Sequence, residues 1–242
     1  MTSLQSGGLR RYALALAGGL PWMVMALVVR AWAPATPAPP ETLPGSATRQ
    51  LANSLALAAP APSHIWRDVP PLNVNGTANA YIEIPRGDLR KWEFDMRLNT
   101  RAIDRMMPPD LGYPVNYGFV PQTISYDGDP FDVLVLGPAL DGGTLVRGAI
   151  VGLLHMTDEK GLDSKVVISM TGPDGRPKHS LVDDDRRRIA DYFNRYKRHE
   201  PAKFSVVHGW DTAAQGHAFI RTTHAFFREC RREPGSPCSV KR

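Results

Sequence analysis

Residues 127–136 read DGDPFDVLVL, three carboxylates within six residues followed directly by the apolar run Val133–Leu136. Asp-Gly and Asp-Pro are turn dipeptides, so the first half reads as a tight loop and the second as a short strand. Similar runs recur on both sides: Tyr81–Ile84, Trp92–Phe94, Ala149–Met156 and Val166–Met170, separated by Gly, Pro, Asn and Asp. Short strands without helices between them predict a mainly β, α+β fold built on a small closed barrel, not an alternating α/β sheet. Helices come late. Asp183, Asp184 and Asp185 precede Ile189, Tyr192, Phe193 and Tyr196, one apolar stripe with carboxylates at its positive N-terminal end. A second helix is expected after Asp211, burying Ala213, Gly216, Ile220 and Phe227. There is no internal repeat, heptad pattern or glycine-rich phosphate loop.

The chain has 242 residues, 43% of them apolar, enough for an ordinary core. Its net charge of +5 suggests an anionic partner, but the distribution argues against nucleic acid. Residues 1–79 hold five basic against two acidic side chains, residues 80–165 nine against thirteen, and residues 166–242 fifteen against nine. The chemically dense middle is therefore acidic. Such a segment repels phosphate backbones unless divalent cations neutralise it, and reads better as a metal site than as a nucleic-acid groove.

Leu9–Ala33, LRRYALALAGGLPWMVMALVVRAWA, is a basic start followed by an apolar run, the pattern of an export signal. A cleaved signal peptide is the first reading, with Ala31-Trp32-Ala33 as cleavage site; an uncleaved membrane anchor is the second, and a mis-started extension of a cytoplasmic protein the third. Arg10-Arg11 fits a twin-arginine signal only loosely. The expected layout is a signal or anchor at 1–33, an Ala/Pro-rich disordered linker at 34–70, a folded domain at 71–230 and a flexible basic tail at 231–242. Export places that domain in the periplasm, free or tethered to the inner membrane; the alternative is the cytoplasm. Cys230 and Cys238 close a small loop if oxidised, or are plain tail thiols.

The acidic loop alone is mostly a turn. A calcium loop of the EF-hand type is excluded, because counting from Asp127 puts Phe131 at position 5 and Pro138 at position 12. A hard-cation site would need further carboxylates. Asp158 and Asp163, with Lys165 two residues on, follow the apolar run 149–156; Glu83 lies in an alternating strand, Lys91 and Glu93 share a face at spacing two, and Arg105 follows Asp104. Tyr113 and Tyr117 sit in GYPVNYG. Singly, each feature has an ordinary reading as surface loop, solvated ion pair or packed aromatic. The seven histidines form no pair in the context of a zinc site.

Together these stretches, YIEIPRGDLRKWEFD (81–95), IDRMM (103–107), GYPVNYGFVPQTISYDGDPFDVLV (112–135), VGLLHMTDEKGLDSK (151–165) and DYFNRYK (191–197), closely resemble the soluble family I inorganic pyrophosphatases over 79–228. The resemblance implies a small OB-like barrel flanked by C-terminal helices and hydrolysis of pyrophosphate by metal-activated water. By position, Asp127, Asp132, Asp158 and Asp163, with Glu83 and Glu93, resemble the magnesium ligands, manganese being a possible substitute. Asp129 resembles the general base. Lys91, Arg105, Lys165, Tyr196 and Lys197 resemble the phosphate-binding groups, with Tyr117 beside them and Tyr113 lining the site. The family also implies a homo-oligomer, a hexamer in bacteria. The competing readings are a hydrolase of other phosphoanhydrides, nucleotide or polyphosphate, and an OB-like nucleic-acid-binding module, which lacks the basic, aromatic-studded groove it needs.

Overall fold

The computed structural model describes residues 64–233 and 235–238. The expected leader or anchor, and the linker as far as residue 63, lie outside them. The described chain is mostly β-sheet with few helices: α1 (Ile65–Asp68), β1 (Ala78–Ile84), β2 (Arg90–Asp95), β3 (Thr100–Met106), β4 (Asn116–Phe119), β5 (Asp132–Leu136), β6 (Leu145–Asp158), β7 (Gly161–Leu162), β8 (Lys165–Met170), α2 (Asp183–Arg195), β9 (Ser205–Asp211) and α3 (Ala213–Arg232).

Pairing runs β1-β4-β5-β8-β6-β7, with β9 added to β6, and β1 also pairs with β6, so the path through β1, β4, β5, β8 and β6 returns to its start. β5 and β8 are parallel; the other ladders of this sheet are antiparallel. β2 and β3 form a separate antiparallel hairpin.

The DVLVL run explains why β5 lies deep. Side chains alternate across a strand, and here both faces are apolar. Val133 and Val135 enter one buried cluster with Ile82, Ile150, Ile168 and Ile220, while Leu134 and Leu136 enter another with Val167, Tyr192 and Phe193. α3 supplies the first cluster and α2 the second. Gly118 has a comparable reason. A Cβ there would lie 1.8 Å from the Tyr81 carbonyl oxygen, so β1 and β4 can approach this closely only at a glycine.

Both expected helices form. In α2, Asp183, Asp184 and Asp185 pair with Arg186, Arg187 and Arg188 at spacing three (3.0, 3.3 and 2.7 Å), Ile189, Tyr192 and Phe193 are buried, and Tyr196 is the C-terminal cap. In α3, the Thr212 side chain accepts from Gln215 N, Gly216, Ile220 and Phe227 are buried, and Ala213 packs at the edge of the core. The strands β3, β4, β7 and β9 were absent from the apolar runs. β3 reads TRAIDRM and exposes most of its side chains, so it has no alternation to detect.

Packed residues extend beyond 71–230. Trp66 is 1% exposed, and Cys238, disulfide-bonded to Cys230, is fully buried. The pairing left open by the sequence is therefore made. Among the described residues no helix is long and apolar enough to cross a membrane.

Candidate active site

One cleft of about 370 Å³ gathers every sequence-predicted site residue: Glu83, Lys91, Glu93, Arg105, Tyr113, Tyr117, Asp127, Asp129, Asp132, Asp158, Asp163, Lys165, Tyr196 and Lys197. They come from six places in the fold. β1 brings Glu83, the β2–β3 hairpin brings Lys91, Glu93 and Arg105, and the 112–117 stretch brings both tyrosines. The 120–131 loop and the start of β5 bring three aspartates, the β6–β8 connection brings Asp158, Asp163 and Lys165, and the end of α2 brings Tyr196 and Lys197.

Register explains the innermost contact. β5 and β8 run parallel with Val133 opposite Val166, so the preceding residues, Asp132 and Lys165, meet at the mouth of the ladder. Lys165 Nζ donates to Asp132 Oδ2 at 2.5 Å and to Asp163 Oδ1 at 2.7 Å, with its side chain only 1% exposed. Burial opposes that charge, but the two carboxylates outweigh it and hold the ammonium pKa well above its usual range. The ammonium also lies 5.6 Å from the Tyr117 ring centre and 5.4 Å from that of Phe193.

A second cationic bridge closes the far wall. Lys197 Nζ donates to Asp158 Oδ2 at 2.7 Å and to both Glu159 oxygens at 2.8 and 2.9 Å. At the rim, Lys91 reaches Glu93 at 2.6 Å and Asp104 at 3.3 Å, Arg105 bridges Asp104 and Glu200 at 2.5 and 2.6 Å, and Lys160 sits 3.9 Å from Asp127 and 3.7 Å from Asp129. Asp104, Glu159, Lys160 and Lys203 also line the cleft and were not assigned a role from sequence. Glu159 and Lys160 stand inside the quoted TDEK stretch and Asp104 beside Arg105, a signal that adjacency alone could have supplied.

Carboxylates outnumber cations here, and with burial that excess raises three acids: Asp129, lifted by burial and then by Asp127, and more strongly Glu83 and Asp163. Burial, then the nearby Asp132 carboxylate, pushes Glu83 up to about 8, although its Oε1 accepts from Phe94 N at 2.8 Å. Burial also raises Asp163 to about 6 against the pull of Lys165. The lining suits hard divalent cations, which prefer oxygen donors and would relieve this crowding. Among the described residues no three acidic or imidazole side chains already converge into a cage. Lysines cross-link the carboxylates instead.

A stability prediction follows from the two acids raised furthest. Folded Glu83 and Asp163 keep protons that the unfolded chain loses near its ordinary carboxyl range, so the folded state loses stability as pH rises toward about 8. Without divalent cations, Tm is expected to fall by on the order of 5 °C between about pH 5.5 and about pH 8.5, and magnesium should reverse the fall. Calorimetry with and without chelator checks this; a metal-free Tm rising over that interval would contradict it.

Another cavity, about 540 Å³ and lined by Arg86, Lys178, His179 and Arg188 among others, contains none of these residues.

A mainly β scaffold carrying a cleft of interleaved carboxylates, ammonium groups and tyrosines is suited to a small polyanion of the phosphoric-anhydride class. The chain belongs to the inorganic pyrophosphatase family: the model of the family described as inorganic pyrophosphatase matches residues 80–228. The inorganic pyrophosphatase of Saccharolobus solfataricus is 37% identical over 151 residues, 59% of this chain and 87% of that protein. That of Gluconobacter oxydans is 39% identical over 145 residues, 57% of this chain and 83% of its own. Among solved structures, an inorganic pyrophosphatase from Coxiella burnetii superposes with a TM-score of 0.61 at 35% identity, covering 65% of this chain and 99% of that one. The Thermus thermophilus enzyme gives 0.62 at 31% identity, covering 68% and 99%.

Proposed function

We propose that this chain hydrolyses inorganic pyrophosphate to two orthophosphates, using magnesium, or manganese in its place, held by Asp127, Asp132, Asp158, Asp163, Glu83 and Glu93. The observation that carries the reading is the convergence of all the resembling residues in one cleft. When bound, such cations neutralise the phosphates and acidify a water molecule. The attacking oxygen comes from water, the bridging P–O bond breaks, and the proton passes to Asp129, whose carboxylate is exposed in the cleft with Lys160 at 3.7 Å. Lys165 and Lys197 are neutralised by carboxylates; cations held by those carboxylates would free both ammonium groups for phosphate oxygens. Arg105, Lys91 and Tyr196 hold the remaining oxygens and offset charge on the departing phosphate, while Tyr113 and Tyr117, both kept protonated by burial, can donate hydrogen bonds.

Phosphate release by the full-length chain, with magnesium titrated from zero, tests this. Release should be absent without the metal and saturate with it, and pyrophosphate should be preferred over ATP and tripolyphosphate. No release by folded protein would overturn the assignment, and preference for the longer anhydrides would transfer it to them.

The ring of pairings supports reading the main sheet as a small OB-like closed barrel. The Cys230–Cys238 disulfide supports export to an oxidising compartment such as the periplasm; recovery of the protein only in a cytoplasmic fraction would refute it. The family resemblance supports assembly of copies into a homo-oligomer, a hexamer, to be measured by light scattering.

A further inference from the structure

Trp66 does not line the cleft, yet its buried indole Nε1 donates to the Thr123 carbonyl at 3.0 Å. Thr123 sits at the base of the loop that carries Asp127 and Asp129. Val120 N donates to Phe131 O at 2.9 Å and closes the two ends of that loop, while the Thr123 hydroxyl accepts from Phe131 N at 2.9 Å and donates to Val120 O at 2.5 Å. The neighbouring Gln122 has a φ of 50°, a left-handed conformation that a non-glycine residue keeps only when its surroundings hold it. Those surroundings come from the same segment: Gln122 N donates to Trp66 O and Gln122 Nε2 to Arg67 O, both at 2.8 Å.

The other side of this segment reaches the phosphate-facing hairpin. A His64 ring nitrogen pairs with Met96 O at 3.0 Å and Ile65 N donates to Asn99 Oδ1 at 2.9 Å, both in the connection between β2 and β3. That hairpin shares no ladder with the main sheet. Its placement against the acidic loop rests on side-chain and loop bridges, among them these two, the Phe94 N–Glu83 Oε1 bond to β1, and the packing of Phe94 on Tyr81 and Phe119. Trp66 is seated in turn from the C-terminus: it meets Phe227 edge-on at 5.1 Å and shares one apolar cluster with Tyr81, Phe119 and Cys238. The disulfide returns Cys238 to Cys230 of α3. Residues 64–67 precede, and Cys230 and Cys238 follow, the stretch 80–228 that matches the family.

We propose that Trp66 is a positioning residue: seated by the disulfide-closed tail, it fixes the loop bearing Asp127 and Asp129 relative to the hairpin bearing Lys91, Glu93 and Arg105. The proposal rests on the magnesium-dependent hydrolysis proposed above. Groups hydrogen-bonded to metal ligands characteristically change metal affinity by ten- to a hundredfold. Trp66 acts through the loop backbone behind them, so the readout is the magnesium midpoint, taken both from activity and from calorimetric titration of the substrate-free protein, which a purely structural residue leaves unmoved once the protein is folded.

Full-length Trp66→Phe retains an aromatic ring and loses the N–H donor. Its magnesium midpoint is expected to rise about tenfold, with KM for pyrophosphate at saturating magnesium within about twofold of the parent. Should that variant not fold, Gln122→Ala, which removes the bond to Arg67 O, is expected to shift the midpoint in the same direction. Reducing the wild-type disulfide with a phosphine, under conditions where circular dichroism shows the fold retained, should raise the midpoint, and reduction should add nothing further in Trp66→Phe. A folded variant with an unmoved midpoint overturns the positioning role and leaves hydrolysis standing; a midpoint unmoved by reduction removes the tail from it. A wild type without magnesium-dependent release overturns the reading beneath both.

Discussion

Asp129→Asn is expected to lower kcat about a thousandfold while leaving KM for pyrophosphate and Tm close to their wild-type values. The substitution keeps shape and one carbonyl oxygen but removes the ability to take a proton. Because the Asp129 side chain is 59% exposed and its Lys160 contact is 3.7 Å, little folding energy is at stake. The loss should therefore fall on the chemical step. Steady-state kinetics at saturating magnesium, alongside a thermal melt, separates the two; a kcat reduced less than about tenfold would remove Asp129 from the proton transfer. Asp127→Asn, in the same loop, serves as the contrast. Its expected defect is a higher magnesium requirement, reflecting a ligand and not a base.

Lys165→Met has the second large effect, and it reaches both stability and activity. The methionine fills most of the lysine's volume but leaves Asp132 and Asp163 without the ammonium that each contacts within 2.7 Å. Breaking a buried pair from one side costs about 3–5 kcal/mol, which corresponds to a fall in Tm on the order of 10 °C for a domain of this size. Protonation of the stranded carboxylates softens the loss, so it should be smallest near pH 5 and grow as pH rises. Divalent cations should restore much of the stability by taking the place of the ammonium charge, yet kcat/KM should stay at least about a hundredfold down because the donor to phosphate proposed above is missing. Melts across pH, with and without magnesium, check the first part and kinetics the second. A metal-free Tm within about 2 °C of wild type would show that the triad does not support the fold.

Much of this was legible before any coordinates. The DVLVL run is apolar at every position after Asp132, and a strand of that kind can only be buried on both faces, as β5 is. The α2 stripe and the start of α3 after Asp211 follow from spacing and side-chain chemistry in the same direct way, whereas the Thr212 cap appears only in the fold. β3 was not legible because its polar side chains stand largely in solvent and carry no period, and β9 because Ser205–Asp211 alternates only weakly. Trp66 was hidden for a different reason. A single tryptophan in a proline-rich stretch has no pattern, and its burial depends on Phe227 and Cys238, more than a hundred and fifty positions away.

The sequence by itself determined which groups are available, an oxygen-rich set of carboxylates with lysines, an arginine and tyrosines, and which of them stand at the ends of strands, because turn chemistry and apolar runs are local properties. The tertiary structure decided which of them meet. The parallel register of β5 and β8 sets Lys165 between Asp132 and Asp163, and α2 brings Lys197 back onto Asp158 across 39 positions. Burial raises Glu83 and Asp163 only once the sheet excludes water from them. Pairing partners, burial and field are non-local quantities, and no window of the chain contains them.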